Sequence, residues 1–344
     1  MIISRAPYRI SFFGGGTDYP EWYKEHGGVF LSSAIDHHIN IILRQKPSLD
    51  NFRYRVVWRE LENVETVDAI KHPFVRAALQ KRKINTGLDV VYFGQLPHGA
   101  GIGSSSSFGV AFLTALNALE ELQSTPYDLA QEVFEIEHDL LGETVGVQDQ
   151  FTASFGGFNF GQIDTSGKVT LEKLNLPARR IKALNDRLFF VFSGVSRHAS
   201  SIALSQVTNF PHKQTVLQRM QELAYMAKDI LTSDQSLDDF GELLHESWML
   251  KKSLSPKVST DLVEDMYNKA RSAGALGGKL LGAGGGGFML FYVPENVKSA
   301  VSKALENYVY MPICLDAKGA EITMNSPQKY ADYYDKIWSV ASTQ

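Results

Sequence analysis

The chain has 344 residues, 44% apolar and 21% charged, with 28 glycines and 12 prolines. That length corresponds to roughly two domains, and the composition excludes collagen-like, coiled-coil and wholly disordered chains. Thirty-four basic against 38 acidic side chains give a net charge of −4; with no dense basic run beyond Lys81-Arg82-Lys83, no nucleic-acid partner is expected.

In chain order, the N-terminal apolar run carries Arg5 and Arg9, reads as a strand, and is too short for a secretory leader. Residues 29–44, 52–58 and 87–93 have the β-branched and aromatic enrichment of strands. The longest uncharged stretch, Val90 to Leu119, is broken by Pro97, glycines and serines, so no membrane span is expected. Ser104–Leu122 is apolar nearly all round and predicts a buried helix. Leu129, Val133, Ile136 and Leu140 predict an amphipathic helix over 127–141. The glycine-rich stretch 142–161 reads as loop. A short buried strand follows at 187–192, then helices near 212–232, 237–252 and 260–273. After a second glycine loop come a strand at 288–293, a helix near 295–308, a strand near 320–324 and a terminal helix. Strands cluster early and helices late, which points to α+β architecture. The region Pro177–Lys182 divides the chain into an expected N-terminal unit, 1–180, and a C-terminal unit, 181–344. The one cysteine, Cys314, has apolar neighbours and reads as a buried thiol, in keeping with a reducing cytoplasm.

The first glycine loop is Leu96-Pro97-His98-Gly99-Ala100-Gly101-Ile102-Gly103, followed by four serines from Ser104 to Ser107. Three alternating glycines let backbone N–H groups turn toward a ligand, and the helix they open offers unpaired donors and a positive dipole end. Phosphate binding fits this arrangement; an ordinary loop with a serine cap on a core helix is the plainer alternative. No GKS or GKT occurs, so it is not a Walker loop. The second loop, Gly282-Ala-Gly-Gly-Gly-Gly287, matches GxGxxG as a string, but a strand follows where a dinucleotide fold needs a helix. A tight structural turn is its plainer reading. Near the N-terminus, glycines 14–16 deliver Thr17 and Asp18, suited to sugar hydroxyls or to a simple turn. Asp149, between Gln148 and Gln150, is a candidate positioned base or a solvated loop residue.

Taken together, these segments resemble the GHMP kinases. Arg5–Tyr19, Pro97–Ser107 and Lys279–Gly287 are similar to the three motifs of that family, in order, with Ile102 where the second motif has leucine. Gly14–Asp18, Gln148–Gln150 and Phe155–Asn159 look nearest to its D-glycero-D-manno-heptose 7-phosphate kinases. The resemblance implies a two-lobed α+β fold, an S5-like α/β N-terminal lobe and a ferredoxin-like C-terminal one, with the site in the cleft between them. It implies ATP and magnesium as cofactors and a sugar or sugar phosphate as partner, and leaves monomer and homodimer open.

Carried over by position, Asp149 is the catalytic base and Arg9 its paired cation. Pro97, Gly99, Ala100, Gly101, Ile102, Gly103, Ser104, Ser105 and Ser106 hold the nucleotide. Glu137, with Ser104 or Ser105, holds the metal. Gly14, Gly15, Gly16, Thr17, Asp18, Gly284 and Gly285 face the acceptor. From the residues alone, Arg197, after the strand 187–192, reads as a ligand for a substrate phosphate or as an arginine bridging the two lobes. The expected reaction is transfer of the γ-phosphoryl group to an anomeric hydroxyl, mostly by positioning and electrostatics. Galactokinases place Glu and His where Gly15 and Gly16 stand, so a roomier acceptor pocket is expected. Kinases of unphosphorylated fucose or galactose are the alternative within enzymes. A non-catalytic sensor is the other, opposed by the presence of Arg9, Glu137 and Asp149.

Overall fold

A computed structural model of the chain describes residues 1–46, 51–196 and 200–326. Its first sheet has eight strands: β1 (Ile2–Phe13), β2 (Gly28–Gln45), β3 (Tyr54–Val57), β4 (Leu61–Val64), β5 (Leu88–Gly94), β6 (Phe158–Ile163), β7 (Val169–Lys173) and, after the second sheet's four strands, β12 (Glu321–Asn325). The second sheet holds β8 (Leu188–Phe192), β9 (Gly277–Leu280), β10 (Phe288–Tyr292) and β11 (Val309–Met311).

The first sheet runs β12-β1-β2-β5-β3-β4. β2 is long enough to serve two neighbours: its first residues pair with β6 and its later ones with β5. The helix Ser104–Leu119 lies against β1 and β2. Phe112 and Leu116 are fully buried there, and emptying a site of Phe112's kind costs about 3–5 kcal/mol. The interface also holds two hydroxyls, each with a partner: Ser4 Oγ donates to Ala111 O at 2.6 Å and Ser107 Oγ to Pro7 O at 2.8 Å. Those bonds fix the helix lengthwise on β1, which matters because its first turn and Arg9 of β1 meet at the site.

The second sheet runs β11-β8-β10-β9, every pair antiparallel. In chain order this is the 4-1-3-2 arrangement of a ferredoxin-like β-α-β-β-α-β unit. The helices Gln214–Thr232, Leu237–Leu254 and Asp261–Ser272 precede β9, and Lys298–Ala304 links β10 to β11. The two-lobed α+β architecture is therefore present, with one departure from a simple split. β12 pairs with β1, so the chain returns to the first sheet after completing the second.

Other departures are local. The stretch 142–161, expected as loop, contains the helix Gln148–Phe155 and the start of β6. Its glycines mask the short buried segments Phe151–Ser154 and Phe158–Phe160. The helix expected over 127–141 is α-helical at Pro126–Phe134 and continues as a π-helical turn over Glu135–Leu140. Cys314 is exposed, not buried. Leu315 beside it turns inward and bridges to Ile35, which leaves Cys314 facing solvent. The expected terminal helix lies outside the described residues. Among the described residues, no helix is long and apolar enough to cross a membrane.

Candidate active site

A cavity of about 440 Å³ lies where the first turn of the helix Ser104–Leu119, the end of β1, the helix Gln148–Phe155 and the second glycine loop converge. Its central feature is an ion pair. Arg9 Nε donates to Asp149 Oδ1 at 2.5 Å and Nη2 to Oδ2 at 2.6 Å, while Nη1 donates to Gly101 O at 2.7 Å. Forked, charge-assisted bonds of this kind fix both partners in angle as well as distance. Arg9 is 5% exposed, and its backbone N–H is held by Ile102 O at 3.1 Å. Asp149 stands in the first turn of its helix, where the dipole favours a carboxylate.

The glycine loop is shaped around that pair. Gly103 has φ +73°, and a Cβ there would sit 3.1 Å from Arg9 Cγ and 3.3 Å from Asp149 Oδ2. A side chain at 103 would therefore meet both backbone strain and the ion pair. Gly99, Gly101, Gly103, Ser104, Ser105 and Ser106 all line the cavity. Pro97, Ala100 and Ile102, expected with them, do not. Ala100 and Ile102 are buried, and their carbonyls accept from Phe288 N and Arg9 N. Those two residues anchor the loop rather than line it.

From the segment after β1, Gly15, Gly16 and Asp18 line the cavity. Asp18 Oδ1 accepts from Gly16 N at 2.9 Å. Burial raises its carboxyl to about 6, with Asp149 adding to the rise and backbone donors opposing it. Gly146 allows the approach, because a Cβ there would meet Asp18 Oδ2 at 2.1 Å. Gly14 and Thr17 are structural. A Cβ at Gly14 would strike Val29 O at 2.1 Å, and Thr17 Oγ1 donates between Gly14 O and Val29 O. The open position in the triplet is Gly15, whose Cβ would meet only Ser11 Oγ at 3.4 Å.

Glu137 sits on the π-helical turn, fully buried behind the serines. Its Oε2 accepts from Ser106 Oγ at 2.9 Å and Gln150 Nε2 at 2.6 Å, while Oε1 has no hydrogen-bond partner among the described residues. Burial raises this carboxyl to about 7, with Glu143 adding to the rise and the Gln150 and Ser106 bonds opposing it. Among the described residues no cluster of three acidic, His or Cys side chains forms a ready-made metal cage. One carboxylate beside hydroxyls, with the remaining ligands from phosphate and water, is how magnesium is usually held.

The second glycine loop contributes Gly282 and Ala283 to the cavity, not Gly284 and Gly285. A Cβ at Gly284 would meet Val258 O at 2.7 Å, and Gly285 N donates to Val258 O at 2.9 Å, so these two glycines pack on a neighbouring turn. Arg197 lies outside the described residues. Cavity-lining residues with no motif to announce them include Arg59, Glu143, Gln206 and Lys251, and His98 lines it from within the first glycine loop without having been singled out. Lys251 had a readable signal: it falls on the apolar stripe of its helix with Leu244, Trp248 and Leu254, where lysine is out of place.

Comparison with known proteins identifies the family. Residues 68–157 match the family description "GHMP kinases N terminal domain" and residues 226–309 match "GHMP kinases C terminal". The chain belongs to the GHMP kinase family, and is an ATP-dependent kinase of that class. It is similar to the D-glycero-alpha-D-manno-heptose 7-phosphate kinase of Campylobacter jejuni, 29% identical, over 88% of this chain and 93% of that one. It is also similar to the mevalonate kinase of Thermococcus sibiricus, 27% identical, over 91% and 95% of the two chains. Among solved structures, a D-glycero-D-manno-heptose 1-phosphate kinase from Bacteroides thetaiotaomicron shares the fold with TM-score 0.77 at 21% identity, covering 95% of this chain and all of that one. The Lactococcus lactis galactokinase shares it with TM-score 0.71 at 18% identity, covering 93% and 94%.

Proposed function

We propose that the protein is a sugar kinase that transfers the γ-phosphoryl group of ATP to the anomeric hydroxyl of D-glycero-D-manno-heptose 7-phosphate. The product is the 1,7-bisphosphate, used for nucleotide-activated heptose, and the enzyme works in the cytoplasm. The observation that carries the reading is the Arg9–Asp149 fork, set in the same cavity as the Gly99–Ser106 loop. The similarity to a Campylobacter jejuni enzyme of that name supports the choice of acceptor.

In this reading the loop N–H groups and the first turn of the helix Ser104–Leu119 hold the nucleotide phosphates. Asp149 accepts the proton of the attacking hydroxyl, and Arg9 holds the carboxylate at one angle as it does so. Asp18, its carboxylate oriented by the Gly16 N–H, accepts a hydrogen bond from another sugar hydroxyl. The unpartnered Oε1 of Glu137 and the exposed hydroxyl of Ser105 are the groups that would hold magnesium. When bound, the ion would neutralise phosphate oxygens. The lack of a side chain at Gly15 leaves room for an acceptor larger than a hexose. Kinases of unphosphorylated fucose or galactose remain the second reading.

An ADP-release screen over sugars and sugar phosphates tests the proposal. Heptose 7-phosphate is expected to exceed galactose by about two orders of magnitude or more in kcat/KM, the scale at which sites built on polar contacts discriminate. Equal activity on the two would overturn the acceptor assignment.

A further inference from the structure

Lys251, on the helix Leu237–Leu254, is 6% exposed and lines the cavity. Its Nζ donates to Leu280 O at 3.1 Å and to Gly282 O. An ammonium carries three donors, so two carbonyls leave one unassigned. No described residue forms an ion pair with it. The nearby carboxylates are committed elsewhere: Asp149 to Arg9, and Asp18 to the N–H of Gly16. Burial, and then Arg9, pull its ammonium down to about 7, with Asp18 and Asp149 opposing, so an anion brought to the cavity wall by a ligand would restore the full charge.

Two anions could meet Lys251: the terminal phosphate of the nucleotide, or a phosphate already on the acceptor. The first already has the donors of the glycine–serine loop. For the second, the other lining cations are spoken for. Arg9 is spent on Asp149. Arg59 stacks over Trp58, 4.5 Å from the ring centroid, and with His98 it acts on His72, at the side of the cavity where the first glycine loop begins. Lys251 is flanked instead by Gln206, Gly282 and Ala283, with Gln206 Nε2 donating to Ala283 O at 2.7 Å.

We infer that Lys251 binds the phosphate monoester that the acceptor already carries, and so determines the preference for a phosphorylated sugar. The inference rests on the acceptor proposed above. The competing role, a staple for the second glycine loop, predicts a different result. A staple lost would lower activity on every acceptor alike, whereas a phosphate ligand lost lowers only the phosphorylated one.

The test compares kcat/KM for D-glycero-D-manno-heptose 7-phosphate and for the same heptose without its phosphate. In Lys251→Gln the first is expected to fall roughly 10- to 150-fold, the scale of one hydrogen bond to a charged group. The second should change less than about threefold, and Lys251→Arg should restore most of the preference. Equal losses on both acceptors would overturn the inference. Should Lys251→Gln fail to fold, Ala283→Asp adds a carboxylate to the cavity wall next to Gly282, whose carbonyl the ammonium holds, and should cause the same selective loss. An unchanged preference in that folded variant also overturns it. A wild-type enzyme indifferent to the acceptor's phosphate would overturn the substrate reading and this inference together. A strong wild-type preference that survives both substitutions overturns this inference alone.

Discussion

The two glycine loops look alike as strings and work differently. Gly99–Gly103 opens a helix, presents serines and lines the cavity. Gly282–Gly287 leads into β10 and uses most of its glycines for packing: Gly284 against Val258, and Gly287 against Ala100 of the first loop. A Cβ at Gly287 would meet Ala100 O at 2.4 Å, so the second loop buttresses the first. Glycine content therefore marks close approach, while the element that follows decides whether a ligand or another piece of backbone does the approaching.

The contrast can be broken most directly at the first loop's partner. Asp149→Asn keeps the shape of the side chain but removes the proton acceptor and the charge facing Arg9. Turnover is expected to fall by about 10²–10⁴ while nucleotide affinity survives; a fall of less than about tenfold would remove the base role. Gly15→Glu comes next. It fills the open position of the acceptor triplet with a bulky anion, and should lower heptose 7-phosphate turnover by about 10² with ATP affinity little changed, as a lost transition-state fit does. An unaffected turnover would dismiss the enlarged pocket.

Gly103→Ala sharpens the comparison from inside the first loop. Its φ of +73° and the contact with Arg9 predict a strain of about 1–3 kcal/mol, read as a lower kcat with a smaller loss of Tm. Gly284→Ala should do the opposite. With φ +128° and backbone 2.7 Å away, it should lower Tm by several degrees and leave nucleotide and acceptor KM near wild type. Matching profiles for the two substitutions would erase the distinction drawn here.

Metal dependence gives the smallest and most graded effect. Burial holds the Glu137 carboxyl near 7, so its protonated form competes with magnesium below that pH. The magnesium needed for half-maximal activity should rise about tenfold per pH unit below 7. The sign for stability is the reverse of an ordinary salt-bridged acid. A carboxyl raised in the fold favours the folded state at low pH, and that advantage disappears as pH rises through about 7. Glu137→Gln should therefore raise Tm at pH 8 without metal while weakening the magnesium response. A magnesium requirement that stays flat from pH 8 to 6 would place the metal elsewhere.

Much of this was legible in the sequence where the signal is local. Strand β1 with Arg9, the loop and its buried helix, and the long C-terminal helices all follow from runs of residues that speak for themselves. Less legible was anything set by neighbours distant in the chain. Gly14 and Gly15 are identical letters, yet one abuts the Val29 backbone and the other lines the cavity with only ordinary contact to Ser11 Oγ. Ala100 and Ile102 sit inside the nucleotide motif but face the core. Lys251 reaches the site only because its helix packs against β9, more than twenty residues later. The helix Gln148–Phe155 hid because short elements among glycines carry too few turns to show a period.

The pairing of β12 with β1 has a consequence for how the protein is made. Asn325 lies opposite Ile2, and Glu321 opposite Arg5. During synthesis the outer side of β1 has no neighbour until nearly all of the described chain has been translated. A nascent chain stopped before residue 321 would present β1 with a row of unpaired N–H and C=O groups, an invitation to pair with another copy. Translation past β12 thus doubles as the step that seals β1, and chains released before residue 321 should aggregate where chains released after residue 326 do not.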